Sequence, residues 1–373
     1  MISRELITNR IFRGDPAQDG VGDLRDHDCL DGILPRKKIL VISITVQRDS
    51  ADSFLEEMEM TKPRRHIAGQ VAMITRRNSE RRYFLRPDDY INQVMHFEVA
   101  KAANKHGQQI YAAMAMSNHV HMAVGDLTAK RSKFMQDAMS GIARSRNRDL
   151  GRKGHFWESG SYNDTVLLDR DAIERKLLYI WLNPVRAGLV ERVEDWPGFK
   201  ILPKHWGKKM TIKKPEKFYG RRTPEEVEFT PLPPPGFEDM ELEEVREYFE
   251  RRLKEEENKI IRRRENAKIS FCGKVMVLAQ DPMESPREDE PPTRFVPRFA
   301  TKDAELRAAA QDIYRGFCES YESCRQRWMK NRGKAKKRRK QVKFPAGTVQ
   351  LRSCAPISCK DVAEDEPGLL ATG

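Results

Sequence analysis

The sequence predicts an α+β fold of the ferredoxin-like (RRM-like) type across residues 60–205, an antiparallel sheet with helices on one face. Three observations support it. The predicted elements follow the order β-α-β-β-α-β and then a further helix; apolar residues recur with helical spacing in the helical segments; and two apolar runs meet at a short polar turn. We expect the open face of this sheet to be where such a fold holds a nucleic acid.

The first strand and the first helix are defined by local signals. Residues 66–76 are apolar and of strand length. Pro87 suits the start of a helix, and Asp88 and Asp89 in its first turn complement the helix dipole. Gly107 suits the position just past the helix end, where a left-handed backbone is common.

A hairpin is predicted next, with strands at roughly 109–116 and 119–124 and a break near Ser117 and Asn118. A second helix is predicted across about 129–148, with an apolar stripe and several basic residues on its other sides. A basic residue on such a face is usually just solvated.

The last strand of the pattern is predicted at 162–168, and a helix follows from about Asp169, which suits its N-cap. Pro184 discourages helical geometry at Asn183, so we expect this helix to end or kink there.

Composition divides the whole chain into five segments. They are a poorly ordered leader at 1–59, the α+β domain at 60–205, a charged linker and helix at 206–300, an amphipathic helix with a basic arm and a short strand (344–352) at 301–352, and a loose tail at 353–373. The arm is the run 325–340, and Pro-rich linkers are predicted at 230–239 and 281–292. We expect translation to begin near Met58 or Met60.

The net charge of +13 in 373 residues favours a polyanionic partner, most simply nucleic acid. The six cysteines form no C-x-x-C pair, which argues against a zinc finger, and no apolar run approaches membrane-spanning length. We expect a cytoplasmic protein with no membrane association and no nucleotide cofactor.

Two histidines stand out in the second hairpin strand. His119 and His121 are two residues apart, so they point to the same face of a strand, while Val120 and Met122 point to the opposite, core-facing side. Two neutral imidazoles at that spacing can share a divalent ion and, with oxygen donors beside them, Mg²⁺ or Mn²⁺. By itself, such a pair in an apolar strand is more often structural or incidental than a metal site.

Tyr179 lies in the predicted third helix, and Asn183 is one turn later on the same face. A tyrosine there could be a nucleophile if a nearby cation helped it, and the amide oxygen of Asn183 could be a third metal ligand. The residues alone do not favour Tyr179 over Tyr162, since a helical tyrosine more often packs in a core.

Four stretches together resemble a known family. They are PRRHIAGQVAMITRRN (63–78), AMSNHVHMAV (115–124), FWESGSYND (156–164) and YIWLNPVRAGLV (179–190). In this order and spacing they are similar to the single-tyrosine HUH transposases of bacterial insertion sequences, especially the REP-associated tyrosine transposases. The family usually has proline where Ser117 stands, a minor departure in a turn.

The resemblance implies a function for each candidate residue. His119 and His121 would bind Mg²⁺ or Mn²⁺, Asn183 would complete the metal site, and Tyr179 would attack a phosphate of single-stranded DNA to form a 5′-phosphotyrosine. The implied partner is single-stranded or hairpin DNA at palindromic repeats, and members of the wider family are often homodimers.

Candidate DNA contacts come from the basic second helix, the aromatic and basic loop after it, and the third helix. They are Lys130, Arg131, Lys133, Arg144, Arg148, Arg152, Lys153, Trp157 and Arg186. Basic side chains would contact phosphates and Trp157 would stack on an unpaired base, although packing of that ring in the core is an equal alternative.

Three other functions stay open at the level of sequence. The chain could be a non-catalytic DNA-binding protein acting at repeat sequences, which keeps the fold and charge without turnover. It could be an RNA-binding protein or nucleic-acid chaperone, which only the charge supports. A small-molecule metallohydrolase is the least favoured, because no carboxylate lies close to the histidine pair in sequence.

Overall fold

The structure is a computed structural model. It describes residues 63–160, 162–286, 297–332 and 342–349. The predicted leader at 1–59, the start near Met58 or Met60, the tail at 353–373 and the basic arm beyond residue 332 lie outside the described residues.

The protein is α+β, with one six-stranded sheet, a separate two-stranded sheet and seven α-helices in the described part of the chain. The strands are β1 (Gln70–Arg77), β2 (Gln108–Ala115), β3 (His119–Asp126), β4 (Asn163–Leu167), β5 (Lys200–Ile201), β6 (Met210–Lys213), β7 (Glu226–Phe229) and β8 (Phe299–Ala300). The helices are α1 (Asp89–His106), α2 (Arg131–Asp149), α3 (Arg170–Trp181), α4 (Asn183–Arg186), α5 (Leu242–Asn266), α6 (Lys274–Leu278) and α7 (Ala304–Arg332).

The large sheet has the strand order β5-β2-β3-β1-β4-β8. Every ladder in it is antiparallel except the short one between β4 and β8. With α1 and α2 as crossovers, the four central strands form the ferredoxin-like unit that the element order predicts, so the predicted fold class is confirmed.

The helix ends follow the local signals. The Asp88 side chain accepts the backbone N–H of Ile91 at 2.8 Å and caps α1, and Gly107 ends that helix with a φ of 59°. Asp169 likewise accepts the N–H of Ala172 at 2.6 Å and caps α3. The predicted break before Pro184 is present, since the single residue Leu182 separates the end of α3 from the start of α4.

The two crossover helices cover one face of the sheet. Phe134 and Ile142 of α2 pack there with Val120 and Met122 of β3, all fully buried. The prediction that Val120 and Met122 point into a core, away from the histidines, is therefore correct. The main apolar core lies between these two layers.

The opposite face is not open as expected, because helices α3 and α5 cover much of it. Trp181 of α3, Phe249 of α5 and Trp206, which lies between β5 and β6, are fully buried against apolar residues of the sheet such as Ala123. The rings of Trp206 and Phe249 are 5.3 Å apart between centroids and nearly perpendicular. The strands carry apolar side chains on this face as well, and α3 and α5 bury them from water.

Parts of the C-terminal half are more ordered than the sequence predicts. Strands β6 and β7 form a hairpin that packs on α1, and Phe237 of the Pro-rich stretch 230–239 is only 3% exposed. The strand predicted at 344–352 is wrong for its described part: a turn with Gly347 at a φ of 76° interrupts it, and an isolated bridge joins Arg65 and Thr348. No helix among the described residues is long and apolar enough to cross a membrane.

Candidate active site

The histidine pair lies on the sheet face that α3 covers. In the ladder between β1 and β3, His119 is opposite Arg77 and His121 is opposite Thr75. The two imidazole centroids are 4.7 Å apart and the rings are inclined by 77°. Alternation along β3 thus places both rings side by side, as the two-residue spacing predicts.

Neighbouring side chains orient both imidazoles through the same ring atom. Thr75 Oγ1 is 2.8 Å from Nδ1 of His121, and Asn118 Oδ1 is 2.7 Å from Nδ1 of His119. When Nδ1 of a histidine is held in this way, Nε2 is the nitrogen with which it binds a metal.

His121 is suited to bind a cation because it stays neutral. Its side chain is only 5% exposed. Burial, and then the nearby His119, Arg77 and Lys176, lower the pKa of His121 well below its usual range. A neutral imidazole keeps the lone pair that a metal needs, so the residues present fit a divalent ion.

Tyr179 lies against the same pair. Helix α3 packs on β2 and β3, and the Tyr179 ring centroid is 5.5 Å from that of His121. The side chain is half-buried, so the interior does not enclose it. Tyr162, the alternative that the residues alone left open, is 9% exposed and packs in the core on the other face of the sheet.

Positive charge surrounds the tyrosine. Lys176 Nζ and Arg186 Cζ are each 5.5 Å from the centroid of the Tyr179 ring. Arg186 is exposed on α4, and its predicted contact with DNA stays a prediction.

Sequence reasoning missed three residues around this site. Lys176 had a usable signal, because it precedes Tyr179 by three residues and therefore shares its helix face. Thr75 and Arg77 had none, because their place depends on the register between β1 and β3.

The third metal ligand stays a prediction. Asn183 is half-buried at the first position of α4, one turn after Tyr179. In the parts of the chain that the structure describes, no three His, Cys, Asp or Glu side chains are grouped so that they could hold a metal ion.

Two of the predicted DNA contacts are wrong because their side chains are buried. Arg131 is fully buried and its guanidinium pairs with Asp164 at 3.3 Å. Trp157 is 9% exposed, belongs to the core, and donates its ring N–H to the carbonyl of Met139 at 2.9 Å. Neither side chain can reach a nucleic acid from these positions.

The structure places other predicted DNA contacts away from the histidine pair. Lys130, Lys133, Arg144 and Arg148 are exposed, but the last three lie on α2 and Lys130 directly precedes it, and this helix packs on the other face of the sheet. In the loop that follows, Arg152 packs its guanidinium 3.8 Å from the centroid of Phe84.

Arg152 also donates to the side-chain oxygen of Asn147 at 2.7 Å, which gives it a structural role in the loop. Its neighbour Lys153 is exposed.

Comparisons with known proteins give two structural likenesses. One is to the structure of a REP-associated tyrosine transposase bound to a REP hairpin, with 21% identity over 39% of this chain and 85% of that chain, and a TM-score of 0.31. The other is to the crystal structure of a "putative transposase" from Deinococcus radiodurans R1, with 17% identity over 32% of this chain and 95% of that chain, and a TM-score of 0.24. No protein-family model and no curated protein matches the chain. At these TM-scores neither likeness carries the functional argument, which depends on the site itself.

Proposed function

We propose that the protein is a metal-dependent DNA transposase that cuts and rejoins single-stranded or hairpin DNA through a covalent 5′-phosphotyrosine. One observation carries the proposal: the ring of Tyr179 lies 5.5 Å from that of His121, which lies 4.7 Å from that of His119. A tyrosine beside two imidazoles that could hold a divalent ion is an arrangement suited to phosphoryl transfer to tyrosine.

In the cutting step, the hydroxyl oxygen of Tyr179 forms a bond to the scissile phosphorus and the bond from phosphorus to the 3′ oxygen breaks. The phenol proton is lost to solvent, and the departing 3′ oxygen takes up a proton. The charges of Lys176 and Arg186, each 5.5 Å from the tyrosine ring, attract the phosphate and stabilise negative charge on the attacking oxygen.

In the joining step, a 3′ hydroxyl of another strand attacks the same phosphorus and releases Tyr179. The phosphodiester is exchanged without net hydrolysis, so no nucleotide cofactor is required. Cutting and joining therefore need the same set of residues.

His119 and His121 would hold Mg²⁺ or Mn²⁺ through Nε2, with Thr75 and Asn118 fixing the rings from the other nitrogen. When bound there, the ion supplies positive charge that polarises the phosphate. Homodimer formation and Asn183 as a ligand are further parts of this proposal.

The first prediction tests the nucleophile. Wild-type protein incubated with labelled hairpin DNA and Mn²⁺ should form a covalent adduct that survives a denaturing gel, and Tyr179→Phe should abolish it because the ring remains while the attacking oxygen is lost.

Tyr314→Phe is the matched control, since Tyr314 is a half-buried tyrosine on α7 whose hydroxyl donates to the Pro63 carbonyl at 2.7 Å. It should form the adduct at the wild-type level. An adduct that persists in Tyr179→Phe would show that the nucleophile is another residue. Tight hairpin binding with no cleavage by wild type would favour the non-catalytic DNA-binding protein.

The second prediction tests the support of the metal ligands. Thr75→Val keeps the side-chain shape but removes the hydroxyl 2.8 Å from His121 Nδ1. We expect Mn²⁺ affinity, measured by titration calorimetry, to fall about 10- to 100-fold, as is usual for loss of such a partner.

Thr165→Val is the control, because Thr165 is a buried threonine of β4 whose hydroxyl donates to the Pro297 carbonyl at 2.9 Å. Equal Mn²⁺ affinity in the two variants would mean that Thr75 does not orient the ligand.

A further inference from the structure

Exposed basic residues at the end of α2 adjoin the loop between β6 and β7. The Arg148 guanidinium donates to the Phe218 carbonyl at 3.4 Å, and the Ser145 hydroxyl donates to Tyr219 Oη at 3.0 Å. We call the combined exposed set the back basic surface: Arg144, Arg148, Lys217, Phe218, Arg221 and Arg222. It lies in the layer of α1 and α2, so the sheet separates it from His119 and His121.

Phe218 is an exposed aromatic residue with a left-handed backbone conformation. Its side chain is 44% exposed, and its φ of 70° is a left-handed conformation that disfavours any residue with a Cβ. The next residue, Tyr219, is anchored instead: its ring packs edge-on against buried Phe97, with 5.5 Å between centroids. The loop thus packs the Tyr219 ring against the core and leaves the Phe218 ring exposed.

A neighbouring ring supports Phe218 without covering it. The Tyr90 ring lies edge-on to Phe218 with 6.2 Å between centroids. Lys217 Nζ is 5.7 Å from the Tyr90 centroid, which places a cation beside the two rings. Phe218 therefore has a fixed edge contact, and part of its ring is exposed to solvent.

The charge of the surface is strongly positive. Its five cationic side chains are Arg144, Arg148, Lys217, Arg221 and Arg222, and the nearby loop carboxylates are Glu216 and Glu225. Lys214 pairs with Glu225, so Glu216 is the loop carboxylate that remains to offset the five cations.

We propose that the back basic surface binds single-stranded nucleic acid, with the basic side chains on phosphates and Phe218 stacked on an unpaired base. Exposed aromatic rings among cationic side chains bind single strands in this way, because every base has a face on which a ring can stack and every nucleotide carries a phosphate. The surface is a second nucleic-acid contact beyond the proposed active site, and it does not depend on the transposase proposal.

The test measures binding of a short fluorescent oligothymidine strand by anisotropy, in EDTA and in the Tyr179→Phe background, so that cleavage cannot contribute. Phe218→Ala should weaken binding about tenfold, which is within the range for loss of one stacked base. Binding of a blunt duplex of the same length should not change, because its bases are already paired.

Two further variants separate binding from folding. Glycine suits a left-handed backbone, so Phe218→Gly should keep the wild-type unfolding temperature yet bind as weakly as Phe218→Ala. Met329→Ala removes an apolar side chain of similar exposure, 46%, from α7 and should bind like wild type.

The Arg221→Ala/Arg222→Ala double variant tests the binding of phosphates. The slope of log affinity against log salt should fall by about 0.7 for each phosphate of a single strand that the variant no longer neutralises.

Wild-type affinity and salt slope in Phe218→Ala and in the double arginine variant would overturn the proposal. The proposal would also be overturned if these variants lost binding to anionic lipid vesicles while their oligonucleotide binding stayed unchanged. That result would assign the surface to a membrane. A failure of adduct formation would leave this binding result unaffected, so the two proposals fail separately.

Discussion

His121→Ala is expected to lower the rate of metal-dependent strand cleavage by roughly 10³-fold while single-stranded DNA still binds. The variant removes a buried, neutral imidazole whose ring lies between those of His119 and Tyr179 in the cluster. A bound ion contributes several kcal/mol of charge stabilisation, and each 1.4 kcal/mol, approximately, is a factor of ten in rate. Single-turnover cleavage with Mn²⁺ measures the effect.

His155→Ala is the matched control, because His155 is an exposed histidine in the loop after α2. It should cleave at the wild-type rate, and both variants should bind DNA like wild type in EDTA. Cleavage by His121→Ala within a few-fold of wild type would show that the pair is not the metal site. That result would not change the outcome expected from the adduct test on Tyr179.

Local signals in the sequence were sufficient for the elements that carry the site. Asp88 and Gly107 mark the two ends of α1. Asp169 marks the start of α3, and Pro184 follows its end. These signals are local because caps and helix breakers act within one helical turn. Two-residue alternation placed His119 and His121 on one face of β3. These interactions are short-range, so the sequence records them directly.

Long-range packing was not predictable in this way. The residues around Arg131 and Trp157 are basic and aromatic, as on a nucleic-acid-binding surface. Both side chains are nevertheless buried, because Arg131 pairs with Asp164 and Trp157 donates to the Met139 carbonyl, partners that are distant in sequence. Strand register likewise decides that Thr75 meets His121. Such pairings depend on the completed fold, and no local pattern contains them.

Helix α5 lies outside the domain predicted at 60–205, yet it contacts the helix that carries Tyr179. Glu174 of α3 accepts hydrogen bonds from the Tyr248 hydroxyl at 2.8 Å and from Arg252 Nε at 2.9 Å. The aromatic contact of Phe249 with Trp181 joins the same two helices, with 5.7 Å between centroids. Helix α5 thus fixes the helix that carries Tyr179.

Asp164→Ala is expected to lower the free energy of unfolding by about 3–5 kcal/mol, the usual cost of leaving a buried charge unpaired. Asp164 accepts from Arg64 at 2.8 Å and pairs with fully buried Arg131 at 3.3 Å, and His66 approaches to 3.5 Å. The pair with Asp164 is made by Nη2 of Arg131, and Nε and Nη1 have no hydrogen-bond partner among the described residues. Urea unfolding at neutral pH measures the loss.

Asp171→Ala provides the comparison, because Asp171 forms an exposed ion pair with Arg175. Such pairs contribute about 0–1 kcal/mol. If both variants lost the same stability, Asp164 would not be needed to neutralise the buried guanidinium. Replacing Asp164 and Arg131 together by leucine and methionine should recover part of the loss, since no unpaired charge then remains.

The effect of Asp164 also has a predictable pH dependence. Burial alone would raise the pKa of its carboxyl, but His66 and the charges of Arg64 and Arg131 outweigh burial and hold that pKa well below its usual range. A depressed pKa contributes stability above the unfolded value, about 4, and this contribution is lost as pH falls toward the folded value. The difference between wild type and Asp164→Ala should therefore shrink below about pH 4. A difference that stayed constant from pH 7 to pH 2 would mean that the loss of packing, rather than the loss of charge, causes the destabilisation.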